Sequence, residues 1–116
     1  MKHHKRRSLS VRVDAAAMTD WQSLHRVFAT AFGYPQSYAA TKEAWVECMT
    51  HLDDPQAQTT AVHCEPGQVI VLVVENGREL RTRHSELAAG IVALVGEVNE
   101  RRVQEGKLPV LVLAFE

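Results

Sequence analysis

Val69-Ile70-Val71-Leu72-Val73-Val74 is an unbroken apolar run in which every residue but Leu72 is β-branched. A run of this kind, too short for a buried helix and rich in side chains that suit a pleated surface, predicts a central strand covered on both faces. Glu75-Asn76-Gly77 closes it with a turn. Beyond the turn, Ser85 is a good N-cap for a long helix in which Leu87, Ile91, Leu94 and Val98 recur at helical spacing, and Glu105-Gly106 marks its end. Pro109 then precedes residues 110–115, a last strand of the same buried kind.

Upstream of the central run the pattern changes. Leu9, Val11 and Val13 alternate with Ser10, Arg12 and Asp14, which predicts an edge strand with one buried face. Thr19 and Gln22 resemble a capping box, and Trp21, Leu24, Val27, Phe28, Ala31 and Phe32 make a helical stripe that Gly33 and Pro35 stop. A second helix is expected from Ser37 as N-cap to about Leu52, burying Ala44, Trp45, Cys48, Met49 and Leu52. Glu43, Val46, Glu47 and Thr50 fall on another face. Residues 53–67 are polar and carry Pro55, Pro66 and Gly67; a short extra strand at 60–63 is the one element expected there.

The order β-α-α-β-α-β, with helices between successive strands, predicts an α/β fold: a small three-stranded parallel sheet with packed helices and right-handed crossovers. At 116 residues the chain suits one domain. We expect residues 1–8 to be a basic flexible tail and 9–116 the domain.

Charge and composition exclude several classes. No apolar run reaches the roughly 18 residues of a membrane span, and the basic start, Met1-Lys2-His3-His4-Lys5-Arg6-Arg7, leads into Ser8-Leu9-Ser10 rather than the apolar core of a signal peptide. Two cysteines are too few for a disulfide framework, so both are expected as reduced thiols in the cytoplasm. The net charge of -1 hides an asymmetry: Lys2, Lys5, Arg6 and Arg7 are four of the 13 basic residues, which leaves nine against 14 acidic groups in the rest of the chain. An acidic body suits a basic partner and disfavours nucleic acid on the folded domain.

Catalytic motifs are missing. Cys48 and His51 lie one turn apart and His63 and Cys64 follow, but neither pair has zinc-knuckle spacing. Cys48 in mid-helix, beside Glu47, lacks the cationic surroundings of a reactive thiolate. The six glycines are scattered singly, so no phosphate-binding loop is formed. Glu43 and Glu47 share a helix face, whereas a catalytic carboxylate pair flanks a cleft from two elements. No enzyme activity, metal or cofactor is expected.

Leu24-His25, Tyr34-Pro35-Gln36-Ser37-Tyr38 and Thr41-Lys42-Glu43-Ala44-Trp45-Val46-Glu47-Cys48-Met49-Thr50 together resemble the barstar family of intracellular ribonuclease inhibitors. The resemblance covers most of the chain in topology and about 30 residues in motif. It implies a protein that lays its second helix and the preceding loop into the active site of a basic, secreted-type ribonuclease; a monomer is expected. On that basis Glu47 takes the place of the central inhibitory aspartate, Glu43 of the second, Lys42 and Val46 of flanking contacts, and Ser37 of a contacting tyrosine beside Tyr38. Both acids are one methylene longer here, Ala39 replaces a glycine, and Ser37 and Val46 lack aromatic rings. Those departures bear on which partner is bound, and a binding or immunity module for a different, non-ribonuclease toxin is the alternative.

Overall fold

The computed structural model describes residues 8–116. The expected basic tail lies outside the described residues except for Ser8, which opens the first strand. Three parallel strands, β1 (Ser8–Asp14), β2 (Val69–Glu75) and β3 (Leu111–Phe115), form one sheet in the order β1-β2-β3. Ile70 stands between Leu9 and Leu111, and Leu72 between Val11 and Leu113. The apolar run is therefore the central strand and the alternating segment an edge, as the patterns predict.

Helices α1 (Trp21–Phe32), α2 (Lys42–Thr50), α3 (Gly77–Arg83) and α4 (Ser85–Gln104) complete the order β-α-α-β-α-α-β. The added element is α3, where the sequence suggested only a turn. Asn76 takes a left-handed conformation (φ 60°), and the chain winds on from Gly77 instead of reversing. Leu80 is buried, and Gly77 lies so close to Phe115 that a Cβ there would meet the ring at 2.6 Å.

One face of the sheet is fully covered and the other only in part, at Val73 beside Arg12. Ile70, Leu72 and Val74 are fully buried with Val13 and Leu111, whereas Val69 and Val71 are partly open beside exposed Ser10, Arg12 and Val112. The continuous apolar run is thus a poor guide to cover on two faces, because valine also suits the pleated surface between flanking strands. On this open face Arg12 pairs with Glu75 at 3.3 Å and Glu116 at 3.0 Å, tying all three strands together.

Local caps differ from the expected ones by small shifts. Asp20, not Thr19, caps α1: its carboxylate accepts from the Ser23 amide at 2.7 Å, and the Ser23 hydroxyl accepts from the Asp20 amide at 3.0 Å. Gly33 ends α1 with φ 67°, and a Cβ on it would lie 2.4 Å from that of Ala61. Residues 60–63 form no strand. The amides of Ala61 and Val62 donate instead to the Phe32 carbonyl, so this stretch closes the C-terminus of α1. At α4, Ser85 is the first helical residue and caps nothing, because only His84 separates α3 from α4.

Candidate functional site

The loop before α2 dictates where that helix begins. The Tyr38 amide donates to the Pro35 carbonyl at 2.9 Å in a turn, and Ala40 adopts φ 55°, so the helical path opens only after Thr41. The Thr41 hydroxyl accepts from the Ala44 amide at 3.0 Å and is the N-cap. Ser37, expected in that role, is exposed in the turn. The helix ends at Thr50, two residues short of Leu52.

Trp45, Cys48 and Met49 anchor α2 from beneath, with Trp45 edge-on to Phe28 at 5.3 Å. Helix α4 covers a second side. Val46 and Thr50 are consequently buried rather than exposed, and the Thr50 hydroxyl donates to the Val46 carbonyl at 2.6 Å. Of the expected outer face, Glu43 and Glu47 are left in solvent with Lys42, whose ammonium lies 4.6 Å above the Trp21 ring.

Val46 floors the seam between the two helices. One groove of about 330 Å³ is lined there by Lys42, Glu43, Val46, Glu97 and Arg101, and it continues into a second of about 290 Å³ toward Glu100 and Gln104. Glu47, next to Val46 but not lining either groove, has both carboxylate oxygens engaged: one accepts from Arg101 at 2.7 Å, the other meets His51 at 3.1 Å. Partial burial works against the charged form of Glu47, but the hydrogen bonds and charges of Arg101 and His51 outweigh it and hold the carboxyl below its usual range. Glu43 forms no ion pair among the described residues.

Behind the loop, the Tyr38 hydroxyl is hydrogen-bonded to Nδ1 of His25, and the Tyr38 ring lies 4.6 Å from that of Tyr34. Burial raises the pKa of both tyrosines and lowers that of His25, so the contact joins neutral groups. Tyr38 thus holds the loop to α1 as well as reaching its surface.

Two residues that the sequence reasoning left unassigned, Arg101 and Arg102, fix α2 on α4. Arg102 is buried; its guanidinium donates to both Asp53 oxygens at 2.9 and 2.8 Å, to the Thr50 carbonyl at 2.8 Å and to the Leu108 carbonyl at 2.7 Å. It therefore satisfies the open end of α2 and the start of the 53–67 segment together. A signal for it exists, because the Leu94, Val98 spacing continues onto position 102. Arg101 is displaced toward α2 and reaches Glu47.

The thiol and metal candidates do not assemble. Cys48 and Cys64 are buried, and burial, followed by the charge of Glu47, pushes the Cys48 thiol up to about 11, so it is protonated at neutral pH. Among the described residues no group of three or more His, Cys, Asp and Glu side chains is placed to hold a metal. No described helix is long and apolar enough to cross a membrane.

A profile of the Barstar family, described as barstar (barnase inhibitor), matches residues 9–114, nearly the whole chain. No curated protein matches it.

Proposed function

The chain belongs to the barstar family, and from that premise we propose that it is a stoichiometric inhibitor of a basic ribonuclease. Helix α2 enters the nuclease's active site, where Glu47 and Glu43 stand in for the phosphates of RNA. The observation that carries this reading is the placement of the two carboxylates: one turn apart on the exposed side of a helix whose other sides are held by Trp45 below and by α4 alongside. A site that cleaves RNA must present cations to phosphate, and a rigid anionic face is complementary to them. Such complementarity speeds association and fixes register, as in barnase and barstar, the pair on which the rule itself rests.

Ser37 and the Tyr38 loop contribute the rim, with Lys42 beside the acids and Val46 as the floor. The protein acts as a cytoplasmic monomer, without cofactor and without turnover. Titration of barnase-catalysed RNA cleavage tests this directly: we expect a one-to-one end point, and at least about a tenfold loss of affinity for the folded Glu43→Ala, Glu47→Ala double variant. Unchanged inhibition by that variant would remove α2 from the interface. The absence of aromatic rings at Ser37 and Val46 supports a second reading, an immunity module for another basic toxin. It is favoured if barnase and related nucleases are left active while such a toxin is neutralised.

A further inference from the structure

Glu47, the anchor of the proposed interface, already holds a cation. The Arg101 Nη2 to Glu47 Oε2 distance of 2.7 Å is that of a charge-assisted hydrogen bond. Both side chains lie at the solvent boundary, 39% and 49% exposed, within reach of a docking partner. The clamp is built in, because the next residue, Arg102, is locked in the core and fixes this turn of α4 against α2. Arg101 also has a second acceptor of its own: its Nε lies 3.5 Å from Glu105, the C-cap residue of α4. Glu43 differs. It forms no ion pair among the described residues, and it faces Glu97 across the groove floored by Val46.

We propose that Arg101 is a specificity-determining residue of this surface: it occupies Glu47 as an internal counterion, and a partner binds by displacing it with a cation of its own. Glu43 and Glu97 are open to a first, electrostatic contact, while Glu47 is released only to a partner that replaces the Arg101 bond. A protein with a diffuse basic patch gains the first contact alone. One that presents a guanidinium or a tight cluster of cations gains both, and Arg101 keeps its contact with Glu105 alone. The inference rests on the ribonuclease-inhibitor reading only for the identity of the partner that supplies the cation.

The test is a double-mutant cycle with barnase as the probe, in which Arg101→Gln is compared in the wild-type chain and in Glu47→Gln. Removing a positive charge strengthens binding to any basic protein, so tighter binding by Arg101→Gln alone is insufficient; the cycle separates the local term. Displacement predicts a gain of about two- to fivefold in the wild-type background, the size of an exposed ion pair, and none beyond the general field effect when Glu47 is absent. An equal gain in both backgrounds overturns the proposal, as does no gain or a loss in the wild type. Carbon-13 titration of the Glu47 carboxyl in the unbound protein gives a partner-independent readout: Arg101→Gln should move its midpoint upward, and an unmoved midpoint also overturns the proposal. A wild-type chain that binds neither barnase nor related nucleases fells the inhibitor reading, whereas a flat cycle with binding intact, or an unmoved Glu47 midpoint, fells displacement alone.

Discussion

Arg101 and Arg102 are neighbours in sequence and both grip the second helix of the protein, yet they work in opposite regimes. Arg102 is buried, its side chain 4% exposed against 18% for Asp53, and all its contacts are to fixed groups: a bidentate carboxylate and two carbonyls. Arg101 reaches a half-exposed carboxylate by one short hydrogen bond. A buried, fully satisfied pair cannot be broken without stranding a charge in the core, whereas an exposed pair exchanges its partner for water or for another ion at little cost. The same chemistry therefore gives a structural tie at one end of α2 and an exchangeable contact at its middle.

The largest expected effect is a direct trial of that contrast. Arg102→Ala should cost about 3–5 kcal/mol because it leaves Asp53 and two carbonyls unpaired, while Arg101→Ala should cost less than about 1 kcal/mol; urea denaturation of the two variants side by side measures both. Equal losses would break the comparison. Acid titration sharpens it. The Arg102 hydrogen bonds, working against burial, hold the Asp53 carboxyl below its usual range. A depressed folded-state pKa gives stability that is present above the unfolded value of about 3.9 and is lost as pH falls through the folded value. Stability should decline below about pH 4, and the part of that decline due to Asp53 should vanish in Arg102→Ala. The smallest effect is a control at the other end of α2. Ala40 has φ 55°, a conformation that costs an L-residue about 1–2 kcal/mol, so Ala40→Gly should stabilise by about 1 kcal/mol, the two residues differing in that penalty less the chain entropy of glycine. The gain should add independently to each arginine variant, and non-additivity beyond about 0.5 kcal/mol would show that loop and arginines are coupled.

Periodic features were legible in the sequence. The apolar run gave β2, Gly33 the end of α1, and the Leu87, Ile91, Leu94, Val98 stripe gave α4, because in each the local pattern and the tertiary environment agree. Glu43 and Glu47 were likewise visible as solvent-facing, and register with the family's motif singled them out from an ordinary acidic face. What escaped depends on distant partners. Val46 and Thr50 belong to a face that only the approach of α4 buries. The 53–67 segment has no period of its own because its polar groups are spent on others: the Thr59 hydroxyl on the Cys48 carbonyl, Asp53 on Arg102, the Ala61 amide on Phe32. Several adjacent residues could cap α1 or α2, and the backbone path, set by packing, selects Asp20 and Thr41. Arg102 continues the apolar spacing of α4 without being apolar, and arginine on a helix ordinarily faces water.

The bridge between Asp53 and Arg102 spans 49 positions along the chain, and the strand that follows α4 must still zip onto β2. Closing so long a loop is entropically uphill until the segments it joins are themselves in place. On a ribosome, therefore, the acidic helix emerges long before the arginines that hold it and the last strand that completes the sheet. Domains of this size mature as units, so the exposed acidic side of α2 becomes rigid only once α4 has docked and β3 has settled onto β2.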